Sequence, residues 1–292
     1  MTSERNPVEN EQNPVVREHR ATPAAVALGL GLRAAREERG VRLRALAGVL
    51  GLEPATVSTI ERATRTPSVE YVTRVLGFLA VKGNEYRRLM LLAQHLKMPN
   101  WVDPGPVEYP ALLLEYERTA TTMLTWAPRV VPDLVQTPDY ARAVLDSEIL
   151  TGDEVAQGLM MRLVRHEAAL AGDAPGAVTI LLADNVLEHR VGGRGVLKGQ
   201  LGHLLSLMEE GLVEVHIVPA EPAGQPGLLS PFTMFGFPTR IPVVGVCHDH
   251  FYAYVTEQSA IDRYQATAER LLERALDEPT THARISEIIA KT

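Results

Sequence analysis

The sequence predicts an α+β protein: an N-terminal all-α domain of about five helices, then an α+β domain built on a small sheet of about four strands. Three observations predict it. Apolar residues recur at helical spacing from Pro23 to Leu96, interrupted only at Gly40, Gly51, Thr66-Pro67-Ser68 and Lys82-Gly83-Asn84. Short runs with β-branched or alternating character appear only after residue 175. The charge divides where the helical stretch ends: residues 20–97 hold thirteen basic against six acidic side chains, and residues 98–292 hold fourteen against twenty-six. With 292 residues, 46% of them hydrophobic, the chain is long enough for two cored domains.

In order, residues 1–20 mix Glu, Asn, Pro and Arg without periodicity and read as a disordered tail. The N-terminal domain is assigned to 21–98. Its first helix spans Pro23 to Arg39, with Leu28, Leu32 and Ala35 on one face and Gly29 and Gly31 weakening its first turns. Leu43, Leu46, Ala47 and Leu50 mark a second helix that Gly51 stops. Pro54 opens a third at the first helical position, where its missing N–H costs nothing. Ser68 caps a fourth helix, Val69 to Val81, and a fifth runs from Glu85 to Leu96. Four prolines between Met98 and Pro110 argue against a regular element, so 99–110 is read as a linker and 111–292 as the second domain. There, helices are expected at Ala111–Trp126, after Thr137-Pro138-Asp139, at Gly152–Ala171 and at Val196–Glu210. Strands are expected at Gly176–Ala183, Leu212–Pro219, Phe232–Phe237 and Val243–Cys247, and two closing helices near Glu257–Leu276 and His282–Ala290.

The most specific stretch is Arg36 to Pro67. Arg36 lies four residues before Gly40, LxxLAxxLG follows from Leu43 to Gly51, and VSTIER from Val57 to Arg62. On the third helix Val57, Ile60 and Glu61 share one side, while Ala55, Ser58, Thr59 and Arg62 face the other, as in a helix laid in the major groove. This stretch resembles the helix-turn-helix of lambda-repressor-like (XRE-type) regulators. The resemblance implies an ion pair between Arg36 and Glu61. It also implies a DNA-contacting surface of Arg42, Arg44, Thr56, Ser58, Thr59, Arg62 and Arg65. The chain departs from the family pattern at Leu43, Pro54, Ala55 and Ala63, where amides or glycine are usual, and those departures thin the base-reading face.

A second resemblance covers roughly 111–290. VPDLVQTPDYARAV (Val131 to Val144), RLVRHEAAL (Arg162 to Leu170), VEVHIVP (Val213 to Pro219) and FTMFGF (Phe232 to Phe237) are similar to the C-terminal domain of actinobacterial, WhiJ-like XRE regulators. The two resemblances imply a DNA-binding transcriptional regulator or antitoxin-like protein. It would act on double-stranded DNA as a homodimer, and its second domain would receive a small-molecule ligand or a small acidic partner protein. The alternative is a regulator-derived protein with weakened DNA readout whose second domain binds or transforms a small molecule.

No residue pattern assigns a catalytic centre, metal or cofactor. His248-Asp249-His250 puts two imidazoles on one strand face, as a metal site needs, but lacks a third ligand, and a polar strand end is the plainer reading. The single cysteine, Cys247, is either a His-activated thiolate or a small buried hydrophobe. Arg162, Arg165, His166 and Glu167 are either the wall of an anion site or a solvated helix face. Asp184 and Glu188 form a carboxylate pair with no assignable substrate, and Gly192, Gly193 and Gly195 read as a turn. The polar N-terminus and the lack of a long apolar run predict a cytoplasmic protein without a membrane span.

Overall fold

The computed structural model describes residues 22–96, 102–104, 110–170, 176–220, 230–238, 240–248 and 251–292. The disordered-tail assignment, the two C-terminal members of the His248–His250 cluster and most of the linker lie outside these residues.

Five helices open the described chain: α1 (Pro23–Glu38), α2 (Leu43–Leu50), α3 (Pro54–Glu61), α4 (Val69–Phe78) and α5 (Gly83–His95). Their limits follow local chemistry. Thr22 Oγ1 accepts from the Ala25 amide and Ser68 Oγ from the Tyr71 amide, each satisfying an N-terminal donor. Gly51 ends α2 in the left-handed conformation (φ 69°, ψ 34°). Helix α4 stops three residues short of the predicted Val81, because Ala80 turns to φ 52° and the Val81 amide donates back to Leu76.

The remainder is a mixed sheet flanked by helices. Its elements are β1 (Val102–Pro104), α6 (Ala111–Thr119), β2 (Thr122–Ala127), α7 (Pro138–Asp146), α8 (Gly152–Leu170), β3 (Ala177–Ala183), α9 (Arg194–Glu209), β4 (Glu214–Val218), β5 (Phe232–Phe237), β6 (Arg240–His248), β7 (Phe251–Val255), α10 (Gln258–Leu272) and α11 (Glu278–Lys291). Among the described residues the strands form one seven-stranded sheet in the order β1-β7-β6-β5-β2-β3-β4. Strands β2, β3 and β4 pair in parallel, with Thr125 opposite Ile180 and Leu182 opposite Ile217, through crossovers that carry α7, α8 and α9. The other pairings are antiparallel.

The four strands expected from the sequence are all present, and three more join them. Strand β2 replaces the second half of the helix expected over Ala111–Trp126. Helix α6 ends at Thr119, Ala120 is extended (φ −68°, ψ 139°), and Thr121 to Trp126, rich in Thr, pairs on both sides. Strand β1 lies within the proline-rich segment; its Pro104 is the last residue of an edge strand, a position that needs no ladder donor. Strand β7 completes a hairpin with β6.

One hydrophobic cluster of buried residues runs from α1 through α6 into the sheet. Helix α6 is the joint. It packs on α1, α5 and α8, and its Glu115, fully buried, accepts from Arg88 (2.7 Å) and Arg118 (2.9 Å). Gly29 and Gly31, expected to weaken α1, are what let it dock. A Cβ at Gly29 would lie 2.7 Å from the Glu61 carbonyl oxygen, and one at Gly31 would overlap the Leu89 side chain and lie 2.9 Å from Glu115.

Candidate nucleic-acid interface and ligand cavity

The helix-turn-helix is built on a buried ion pair. The Arg36 guanidinium donates from Nε to Glu61 Oε1 at 2.6 Å and from Nη2 to Glu61 Oε2 at 2.8 Å, and from Nη1 to the Val41 carbonyl at 3.0 Å. One side chain thus ties α1 to α3 and to the loop before α2. The Glu61 bond and charge hold the Arg36 pKa above the usual arginine value although burial opposes it. Val57 and Ile60 complete the buried side of α3.

The outer side carries the sequence-predicted contact residues unequally. Arg42, Arg44, Arg62 and Arg65 are exposed; Thr56, Ser58 and Thr59 are half-buried. Thr59 Oγ1 donates to the Thr56 carbonyl (2.8 Å), so its donor is used inside the helix. Arg62 Nε lies 3.3 Å from the Ser58 carbonyl. Leu43 packs against the core, where a phosphate-contacting amide is usual, and Ala63 adopts the left-handed φ of 56° that glycine normally supplies.

The second region contains a cavity of about 780 Å³, lined by β2, β5, β6 and β7, by α6, α7 and α8, and by the segment Pro128 to Gln136. Sheet register sets its floor: Thr125, Thr233, Gly245 and Tyr254 pair in one row across β2, β5, β6 and β7. Thr125 and Thr233 share a hydroxyl hydrogen bond of 3.0 Å. A Cβ at Gly245 would come within 3.1 Å of Phe235, so glycine keeps the floor open.

A buried polar cluster lines one part of the cavity. Arg165 on α8 donates to both Glu117 oxygens (Oε1 at 2.6 Å, Oε2 at 2.9 Å) and to both oxygens of Asp133, and Tyr252 Oη donates to Asp133 Oδ2 at 3.2 Å. Burial works to raise the Asp133 pKa, but Arg165, aided by Arg162 and the Tyr252 hydroxyl, pulls it down to about 2. At Glu117 burial wins over the Arg165 charge and the pKa is raised. Burial, then the Asp133 charge, put Tyr252 well above the usual tyrosine value. Arg165, for which the sequence favours a solvated helix face over an anion site, is instead 4% exposed and carries the cluster, whereas Glu167 of the same helix is exposed. Arg162 also lines the cavity and donates to the Ala141 carbonyl (3.3 Å). His166 instead bonds the Leu134 carbonyl.

Cys247 also lines the cavity and is an exposed residue, so it is not the buried hydrophobe of the plainer expectation. It is not a thiolate either: the enclosing protein and the Asp133 charge push its thiol up to about 12. Asp184 and Glu188 are engaged by Arg284 at 2.9 and 3.6 Å, away from the cavity, and Gly192 and Gly193 form a turn at φ 69° and 94°. Among the described residues, no group of three or more His, Cys, Asp and Glu side chains is placed to hold a metal ion. No helix among them is long and apolar enough to cross a membrane.

The residues missed from sequence are Glu117, Asp133 and Tyr252. They lie on a helix, a 3-10 turn and a strand far apart in the chain, and no local spacing joins them.

Helices α2 and α3, with α3 tied to α1 by the buried Arg36–Glu61 pair and arginines on the open face, form a helix-turn-helix domain, and the helix-turn-helix domain family matches residues 27–89. Residues 110–287, more than half of the chain, match the domain of unknown function DUF5753, and the protein belongs to that family. No curated protein and no solved structure matches the chain.

Proposed function

We propose that this protein is a DNA-binding transcriptional regulator, acting as a homodimer, whose C-terminal cavity receives a small-molecule signal. The observation that carries the reading is the Arg36–Glu61 clamp, which holds α3 with Arg62 and Arg65 exposed at its outer end. The basic N-terminal region beside an acidic remainder supports it, because phosphate contact supplies most of the sequence-independent affinity. The XRE-type motif and the WhiJ-like resemblance of the second region point the same way. With Leu43 packed against the core and Ala55 at the front of α3, arginines carry more of the contact than base-reading amides do.

A cavity of this volume favours a small molecule over a protein partner as the signal. Its size falls in the range of about 300–1,000 Å³ common to small-molecule sites. Among its lining residues, three arginines (129, 162 and 165) balance three carboxylates (Glu117, Asp133 and Glu148), while Trp126, Phe232 and Phe235 are among those supplying apolar wall. This balance suits a mostly apolar, net-uncharged molecule with a hydroxyl or amide to donate to Asp133.

Gel-shift titration against DNA from upstream of its own gene tests the DNA half. Binding should be tightest below about 50 mM salt and weaken with a linear log–log slope. Arg62→Ala and Arg65→Ala should each reduce that slope by about one. Absence of binding at low salt would overturn the reading.

A further inference from the structure

We propose that Tyr116, with Arg240 beside it, couples occupancy of the cavity to the DNA-reading helix; the inference rests on the ligand-responsive reading above and names how that site regulates. The Tyr116 side chain joins the two regions directly. Its ring is fully buried and packs at 5.6 Å from Phe235 and 5.3 Å from Tyr254, both of which line the cavity, and at 6.1 Å from Phe237. Its hydroxyl donates to the Pro23 carbonyl on the first turn of α1 at 2.7 Å. On the same helix, Leu113 and Glu117 line the cavity, so α6 has one side on the ligand space and Tyr116 on α1.

Arg240 makes the second grip. It starts β6, opposite Phe237 in the hairpin register. Nη1 donates to the Val26 carbonyl of α1 (3.3 Å), and Nη2 donates to the carbonyl of Arg62, the C-cap residue of α3 (2.6 Å). Helices α1 and α3 form one body, because Gly29 abuts the Ile60 and Glu61 carbonyls and Arg36 bonds Glu61. Three carbonyls of that body, those of Pro23, Val26 and Arg62, are therefore held by Tyr116, which packs on the cavity-lining Phe235 and Tyr254, and by Arg240, on the strand that carries the lining residues Gly245 and Cys247. A molecule that shifts Phe235 or Tyr254 must move the Tyr116 ring, and close packing leaves the ring no slack to absorb the shift.

Coupling of this kind is reciprocal, and that sets the test. The full-length protein is titrated with the uncharged fluorophore N-phenyl-1-naphthylamine, with and without its own upstream DNA, and with that DNA, with and without the fluorophore. In the wild type each should change the other's affinity by one common factor, between about 5- and 150-fold. Tyr116→Phe keeps the ring and removes only the hydroxyl. It should leave each separate affinity within a few-fold while the coupling factor falls towards one. Arg240→Gln should lower the factor as well, and it reads the same claim should the first variant fold poorly. Coupling that persists undiminished in the folded variants, or a wild type that binds both ligands independently, would overturn the inference while leaving the regulator reading intact. Failure of the fluorophore to bind would overturn the cavity reading, and the inference with it.

Discussion

At the scale of single residues, Arg165 concentrates opposed effects. Two carboxylates share it, and their environments push their pKa values apart: Asp133 sits at about 2 and Glu117 is raised. The sign of each contribution to stability follows. Asp133 is depressed in the folded state, so its contribution is complete above the unfolded value near 3.9 and is lost as pH falls towards 2. A depression of this size corresponds to about 2–3 kcal/mol. Asp133→Asn should therefore lower the unfolding free energy in urea by about 2–3 kcal/mol at pH 6, and the gap from wild type should shrink by pH 3. Glu117 has the opposite sign: with its folded pKa raised, its charge is a cost above the unfolded value, so Glu117→Gln should destabilise less than Asp133→Asn at pH 6. The helix position of Arg165 was legible in sequence; its partners were not. They lie 48 and 32 residues away, on elements that only the packed structure brings to α8.

At the scale of elements, identical substitutions should act in opposite directions. Gly48 lies within α2 with open space where a Cβ would stand, whereas Gly29 meets backbone carbonyls of α3 at 2.7 and 2.9 Å. Gly48→Ala should stabilise by about 0.5–1 kcal/mol through helix propensity. Gly29→Ala gains the same propensity but forces α1 off α3, for a net loss of about 1–3 kcal/mol. Thermal unfolding of the two variants should shift in opposite senses, and equal shifts would refute the close approach. The five N-terminal helices were readable because caps, stops and apolar spacing all act within about four residues. Strand β2 was not, because apolar residues from Leu112 to Trp126 can be read as one amphipathic helix until β3 and β5 supply partners for the second half. Strand β7 follows the same logic: five residues, FYAYV, become a strand by pairing with β6.

At the scale of the whole molecule, α6 decides whether the two regions behave as one. Its Glu115 is fully buried between Arg88 and Arg118, and Arg118 reaches on to Glu38 of α1 at 2.8 Å. Glu115→Gln would take the offsetting carboxylate from Arg88 and leave Arg118 only Glu38, a loss of about 3–5 kcal/mol when one partner of a buried pair is removed. Calorimetry should show a single transition for the wild type, as the continuous core requires, and a separate, earlier transition of the helix-turn-helix region in the variant. One undivided transition at unchanged temperature would count against α6 as the joint. This arrangement also sets the proposed regulation, since Tyr116, which holds α1, packs on Phe235 and Tyr254 of the cavity wall.

The sequence by itself determined the α+β class, the helix-turn-helix and the division of charge. Each is written in residue type and short spacing, and local sterics, capping and Coulomb's law act on these without reference to the rest of the chain. Only the tertiary structure decided that Arg165 is enclosed, that Gly29 and Gly31 are docking points, that three further strands complete the sheet, and that a cavity lies beneath α6. Each of these depends on which distant surfaces exclude water together, and burial of that kind is a property of the packed chain, not of any stretch of it.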